Sequence, residues 1–418
     1  EITGSGMPYG LQIMLSCLPA CIHNDDPLKV LDLDSSFDVI KENLKEERYI
    51  EKLIEEKIIN NQHRINYCLA PDINFNSKKE KKIQEKISEK SKNLSSNDKK
   101  RIIELAKNLK ARQEKSDNPE ILPKVTKEDI PKSREYAKSQ SFEDDNKNFY
   151  YKVGTNGITY HSIILPCDPL TQDEFKIASL FTNTLTDVGI GDKSYEDIQK
   201  IQSAVTGGIS ASFTLIPNEN QSAHSLGLKI TSKSLEENEN KMQDLMIDTA
   251  KNSNFSDKNR IKDMLNFISS DNEKSLIQNG HVLSMSNAAA QINNISSTND
   301  FASGLNFITN TNSLSKNIEK DSNLDQYIEI LNSIKNKVCP IPSYSFTASS
   351  LNLDQSQINF SFDNQDNGFN VQNYFDIQQE SIGWITGAQV TYCAEAFPTV
   401  DFFHDDAPVL SVLGAVLR

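Results

Sequence analysis

The sequence has no apolar run near the roughly 18 residues that a membrane span requires. Its opening residues, Glu1-Ile2-Thr3-Gly4, have no basic-then-apolar leader. Cysteine is sparse: Cys17, Cys21, Cys68, Cys167, Cys339 and Cys393 are scattered through 418 residues, mostly in apolar surroundings. Six such residues make no disulfide scaffold, and the expectation is buried free thiols in a reducing compartment. Positive charge is also short. A net charge of −14 argues against a nucleic-acid partner. The charge is uneven, because residues 77–115 hold 14 Lys and Arg against six Asp and Glu, a local +8 that leaves −22 for the remainder.

The histidines lack the spacing of a catalytic metal site. A zinc peptidase needs two imidazoles and a carboxylate converging on the metal, with a Glu to activate water, as H-E-x-x-H or H-x-x-E-H on a helix delivers. His23, His63, His161, His224, His281 and His404 are never within five residues of one another, and none has a Glu at either spacing. No G-x-S-x-G element offers a serine nucleophile. Gly207-Gly208 precedes a strand pattern and has no Lys-Ser/Thr ending, so it is no phosphate loop. Cys17-x3-Cys21-x-His23 lacks a second cluster to complete a tetrahedron and reads as small core residues. His404-Asp405-Asp406 reads as a solvated turn before Pro408. His161 reads as a cross-strand contact, and Cys167 is the one cysteine near a histidine in sequence. No catalytic, cofactor-binding or metal-binding residue is therefore assigned within the chain.

Hydrophobic residues at 37% and charged residues at 24% give a soluble globular balance, and the length suggests roughly two to three domains. In residues 1–76, positions 35–60 follow a helical period through Phe37, Ile40, Leu44, Ile50, Leu53 and Ile54. Ile65, Tyr67 and Leu69 alternate as a strand would. Too little is present there for a self-standing core. Residues 77–117 predict a helical hairpin. Ile83, Ile87 and Leu94 stripe its first arm, and Ile102, Leu105, Ala106 and Leu109 its second, with Ser95-Ser96-Asn97-Asp98 as the capped turn. Pro119, Pro123 and Pro131 mark an extended connector.

Residues 118–339 predict an α+β domain with helices on one face of an antiparallel sheet. Residues 149–153 and 158–164 pair as a hairpin across Asn156-Gly157. A helix carries Phe175, Ala178, Phe181, Leu185 and Val188. Ile209 to Leu215 and Leu226 to Ile230 form a second antiparallel pair. A long helix starts at Ser256-Asp257 and runs past Gly280-His281, where a mid-helix glycine implies close packing. After Pro340-Ile341-Pro342, strands at Ile358, Phe360 and Phe362 and at Val390, Tyr392 and Ala394 suggest that 340–418 opens a second copy of the domain, cut short. The end, Val412 to Arg418, looks like a buried helix, so both ends read as internal to a longer chain.

Several stretches, taken in order, resemble one family. They are Met7-Pro8-Tyr9-Gly10-Leu11, His23 with Asp26-Pro27, His63-Arg64, Pro71-Asp72, Leu122-Pro123 and Asp129-Ile130-Pro131. They continue with Thr155-Asn156-Gly157-Ile158, Thr206-Gly207-Gly208-Ile209, Arg260, Gly280-His281 and Val412-Leu413 through Leu417-Arg418. The family is the presequence-protease branch of the pitrilysin/insulysin-type zinc metallopeptidases. The resemblance implies four related α+β domains in two halves, joined by a helical hairpin and closing around a chamber for unfolded peptides. It places the zinc motif before residue 1 and a substrate-steadying Arg and Tyr after residue 418. No family catalytic residue then falls on this chain. Zinc is expected in the parent enzyme and none on this segment. The expected partners are unfolded peptides and the missing N-terminal catalytic domain, without nucleic acid or membrane. The −22 remainder suggests that the chamber favours cationic peptides, unless its surface is neutral or basic. Abundant Asn, Lys and Ile point to an AT-rich genome and a bacterial cytoplasm, with an organelle matrix as the alternative. Two further readings compete: a non-catalytic scaffold subunit of the same fold, and an interaction protein that binds through the basic hairpin.

Overall fold

The computed structural model describes residues 9–115, 118, 120, 124, 126–129, 132–133, 136–140, 147–217, 224–318, 321–352, 381–387, 390–400 and 404–417. The chain divides into two compact units, Ser5–Glu135 and Tyr136–Arg418.

In the first unit, α1 (Tyr9–Ile22), α2 (Leu33–Asn43) and α3 (Tyr49–Ile54) are short helices with no buried residue. Asp32 caps α2 by accepting from the Ser35 N–H at 3.1 Å. The expected helical period is there, but its apolar positions, Phe37, Ile40 and Leu53 among them, are exposed. The strand expected at 65–69 does not form: Ile65 is 91% exposed and its stretch is irregular. Alternation alone cannot make a strand, because its backbone groups need a neighbouring strand, and this unit supplies none among its described residues.

The helical hairpin forms as expected, from α4 (Phe75–Lys92) and α5 (Ser96–Glu114). The Ser95 hydroxyl accepts from the Asp98 N–H at 3.1 Å, and the Ser95 N–H donates to the Asp98 carboxylate at 3.2 Å. This reciprocal capping box satisfies two backbone donors at the positive end of α5. Pro119, Pro123 and Pro131 lie outside the described residues.

The second unit is the α+β domain that the sequence predicts. Its strands are β1 (Asn148–Lys152), β2 (Ile158–Cys167), β3 (Gly189–Ile190), β4 (Ile209–Pro217), β5 (His224–Leu235), β6 (Ser253–Asn254) and β7 (Tyr344–Ser349). The main sheet has the order β1-β7-β2-β5-β4, and β3 pairs with β6 apart from it. β4 and β5 pair antiparallel as expected, with Phe213 opposite Leu228 and Ala211 opposite Ile230.

The expected β1–β2 hairpin is the main correction. Asn156 and Gly157 do adopt positive φ, 54° and 78°. β7, however, lies between the two strands, parallel to β1 and antiparallel to β2. The local turn offers one ladder at small entropic cost, whereas β7 supplies two. The connection into β7 is also tied to β2, because Cys339 N–H donates to Pro166 O and Ser343 N–H to Ile164 O, each at 2.8 Å. Pro340-Ile341-Pro342 therefore leads into a central strand of this same sheet. The strand expected at 358–362 lies outside the described residues. Residues 390–394 form no strand; they run as an irregular segment.

Helices cover one face of the sheet: α6 (Gln172–Leu185), α7 (Tyr195–Val205), α8 (Glu239–Asn252), α9 (Lys258–Gln278), α10 (Gly280–Ala290), α11 (Asn294–Ser303), α12 (Leu305–Asn317) and α13 (Asp321–Lys337). The core joins Ile163, Leu165, Leu228 and Ile230 from the sheet to Phe181, Met242 and Leu331 from the helices. Full burial of one such side chain is worth about 1.5–3 kcal/mol. Glu174 anchors α6. Burial works against its charge, but Lys337 Nζ at 2.6 Å, the Thr171 N–H and the Ser333 hydroxyl hold its carboxyl down at about 2.

The long helix expected from Ser256-Asp257 starts there, with Asp257 capping Arg260 N at 3.0 Å, but breaks at Asn279 into α9 and α10. Gly280 thus opens a helix rather than sitting within one. A Cβ on it would lie 2.8 Å from the Tyr392 ring, so close packing does account for the glycine. The terminal α14 (Ala407–Leu417) is helical as expected but not buried: Val412 and Val416 are exposed. Its apolar faces find no cover among the described residues.

Gly304 joins α11 to α12 over the buried Asp300, whose carboxylate accepts from Leu305 N at 3.1 Å and Asn306 N at 3.3 Å. A Cβ at Gly304 would lie 2.0 Å from Asp300 Oδ1. Gly304→Ala is expected to lower stability by about 2 kcal/mol, because the carboxylate that caps α12 must move. Urea unfolding measures this, and a loss below about 0.5 kcal/mol would show that the junction relaxes freely.

Candidate functional site

The strands set a two-sided arrangement, since alternate residues face opposite ways. Toward the helices, β2 presents Thr159, His161, Ile163, Leu165 and Cys167, all buried. This face is apolar at the Cys167 end and polar at the other. There the Thr159 hydroxyl donates to Glu239, which is fully buried at the start of α8. His161 Nδ1 is hydrogen-bonded to Thr347 Oγ1 at 2.9 Å, directly across on β7. His161 is therefore the cross-strand contact that its pattern predicts. Burial pushes its imidazole down to about 3, so it stays neutral at physiological pH.

Cys167 is not its partner. Six residues along a strand separate the two by about 20 Å, and the Cys167 thiol is buried and pushed up to about 12, chiefly by desolvation. A thiol held there is inert, since the thiolate is the reactive form.

The remaining candidates disperse over the molecule. Cys17 is half-buried and Cys21 is exposed, so the core role expected for them is overturned, and Cys68 and Cys393 are exposed as well. All six cysteines are free, and only Cys167 is buried. Alkylation of the native chain is expected to label Cys21, Cys68 and Cys393 rapidly and Cys167 only on unfolding. Rapid native labelling of Cys167 would contradict its burial. His23 and His63 lie in exposed turns, and only the backbone of His224 is described. His281 packs on Tyr392, with ring centroids 5.8 Å apart. His404 is the solvated turn expected, its Nδ1 accepting from the Asp406 N–H at 3.1 Å. Gly207-Gly208 is a tight strand entry: Gly208 has φ 106°, and a Cβ on Gly207 would meet the Lys233 side chain at 2.8 Å. Arg260 staples α9 to the end of α6, donating to Asp187 O at 3.1 Å with its guanidinium 4.3 Å from the Tyr195 ring centre.

Among the described residues no three His, Cys, Asp or Glu side chains come together as a metal set. The residues present do not fit a zinc site, so no step is routed through a metal here. Among the described residues no helix is long and apolar enough to cross a membrane.

The sheet face turned away from the helices has a different chemistry. Phe149 stacks on Phe346 at 5.0 Å, and Tyr344 lies 6.5 Å from the same ring. Lys229 and Lys233 occupy this face of β5, with Ser210 and Ser212 beside them on β4. By strand alternation, no Asp or Glu falls on this face among the described residues. An acidic wall that attracts cationic peptides is thus not what this surface offers, and that expectation is withdrawn.

One cleft was not foreseen. α6, α12 and α13 enclose about 490 Å³, lined in part by Leu180, Asn310, Leu314 and Tyr327. The sequence signal was weak: asparagines at 310 and 317, seven apart, share one face of α12.

A protein-family model described as peptidase-associated, for the peptidases of class M, family 16, subfamily C, matches residues 69–314. The chain is similar to the mitochondrial presequence protease of Yarrowia lipolytica (strain CLIB 122 / E 150), 23% identical over 433 residues, covering 98% of this chain and 42% of that protein. It is also similar to the mitochondrial presequence protease of Drosophila melanogaster, 24% identical over 426 residues, with 98% of this chain and 40% of that one covered. A third relative is protein HypA of Clostridium perfringens (strain 13 / Type A), 23% identical over 417 residues, at 98% and 43% coverage. The chain spans less than half the length of these relatives.

Proposed function

The chain belongs to this peptidase-associated family of class M, family 16, subfamily C, and from that premise we propose that it is an internal segment of a zinc-dependent metalloendopeptidase that degrades unfolded peptides in a closed chamber. One observation carries this reading: similarity over 98% of the chain to presequence proteases more than twice its length. In this proposal residues 1–76 end a second peptidase-like domain, and the capped hairpin of α4 and α5 is the hinge between halves. Residues from 118 through β7 form the third domain, a non-catalytic chamber wall. The fourth domain opens beyond residue 352 rather than at 340, because β7 is central to the third domain's sheet. Zinc and the catalytic residues lie in the parent's first domain, and none of this chain's residues takes a catalytic role.

The exposed apolar surfaces of α2, α3 and α14 support the reading, since isolated domains seldom leave such faces bare. The free cysteines fit a reducing compartment, a bacterial cytoplasm or an organelle matrix. Expression of the 418-residue chain beside the longer protein encoded by its gene tests the proposal. The longer protein is expected to hold stoichiometric zinc and to cleave unfolded peptides in a chelator-sensitive way, and the shorter chain to do neither. Stoichiometric zinc with chelator-sensitive cleavage by the 418-residue chain overturns it. A longer protein without an H-x-x-E-H motif would instead be the non-catalytic scaffold.

A further inference from the structure

The cleft between α6, α12 and α13 has no role in the reading above. Its volume of about 490 Å³ lies in the range of small-ligand pockets, roughly 300–1,000 Å³. Leu180, Leu314, Tyr327 and Ile330 give it an apolar floor. Tyr327 is buried, and burial raises its phenol, so the floor presents an uncharged ring.

The rim is almost entirely neutral and polar, with Asn310, Ser313, Asn317 and Gln326 as its carboxamides and hydroxyl. The two charged lining residues cancel each other: Lys176 Nζ lies 3.1 Å from Asp173 Oδ1. A charged group entering the cleft would lose its hydration and find no unpaired counter-charge. A neutral group bearing amides would find donors and acceptors on every side.

The Asn310 carboxamide nitrogen is buried and has no hydrogen-bond partner among the described residues. A buried donor left unmade is costly, and native proteins usually supply its acceptor. The neighbouring amide of Asn323 is already engaged, donating to Asn317 O at 2.9 Å. An acceptor for Asn310 can come from whatever occupies the cleft.

We propose that this cleft is a peptide exosite that takes one apolar side chain of an uncharged peptide stretch onto its floor. A backbone carbonyl of that stretch accepts from Asn310, and the carboxamide rim pairs with the flanking backbone amides. The choice of a peptide as ligand rests on the peptidase reading; the site itself lies apart from any catalytic centre.

The probe is a fluorescently labelled, acetyl- and amide-blocked pentapeptide of alanine, leucine and phenylalanine, titrated into the 418-residue chain by anisotropy. Two matched peptides carry lysine or glutamate at the centre. The apolar peptide is expected to bind at least about tenfold more tightly than either charged one, and Asn310→Leu to weaken it about tenfold, the worth of one buried hydrogen bond. Ser313→Trp, a substitution on the exposed rim that fills the mouth, is expected to abolish binding with the thermal melt unchanged. Leu314→Glu is expected to do the same from the floor, and Ser313→Trp keeps the test valid should Leu314→Glu unfold. No binding, equal binding of all three peptides, or binding indifferent to Asn310→Leu and Ser313→Trp would overturn the proposal. Because no cleavage is read, zinc and turnover in the longer protein succeed or fail independently of this result.

Discussion

Acidifying the chain from pH 7 to pH 4 is expected to cost about 3 kcal/mol of folding stability through one residue, His161. In the folded chain its imidazole is held neutral by burial, down to about 3 from an ordinary 6.5. Unfolded, it takes up a proton as the pH falls below about 6.5, and the folded form cannot follow until about pH 3. The folded-state value is depressed, so the stability it supports is whole above 6.5 and is lost progressively down to 3. Each pH unit inside that window costs about 1.4 kcal/mol. Glu174 adds a second loss at lower pH, between an ordinary 4.5 and about 2, with the same sign. Urea unfolding at pH 7, 5.5 and 4 separates the two. His161→Gln, which can keep the bond to Thr347, is expected to flatten the loss between pH 6.5 and 4.5. An equal pH slope in the parent chain and the variant would show that His161 is not the group responsible.

How much was legible before the coordinates depended on distance along the chain. The Ser95–Asp98 capping box, the α6 stripe through Phe175 and Phe181, and the β4–β5 pair are set by residues within about 25 positions, and each could be read directly. The β1–β2 hairpin had an equally strong local signal in Asn156-Gly157. It lost to β7, nearly 190 residues further on, which no local pattern announces. The strands expected at Ile65 and Val390 failed for the related reason that a strand exists only with its partner. Cysteine burial was misjudged because apolar neighbours were taken for apolar surroundings in space, whereas around Cys21 and Cys68 those neighbours are themselves exposed. The cleft was the least legible feature: Lys176, Asn310 and Tyr327 come from three helices and meet only in the fold.

Phe181→Ala is expected to be the most damaging single substitution, costing about 3–5 kcal/mol. The ring is fully buried on α6 and touches both layers of the domain. Phe213 of the sheet lies 6.2 Å from its centre, and Phe255, between β6 and α9, lies 5.9 Å away. Truncation removes the shared member of this three-ring group and leaves a cavity bounded by strand and helix backbones that cannot collapse onto it. Phe181→Leu keeps most of the volume and is expected to cost less than about 1.5 kcal/mol. The difference between the two isolates the cavity from the loss of ring contacts. The same helix carries Leu180 and Lys176 into the cleft. Loosening α6 should therefore weaken peptide binding at temperatures well below the unfolding midpoint, in Phe181→Ala but not in Phe181→Leu. Urea unfolding followed by far-ultraviolet circular dichroism gives the stability arm and anisotropy gives the binding arm. A loss below about 1 kcal/mol for Phe181→Ala would mean that the helix layer is not held to the sheet through this ring.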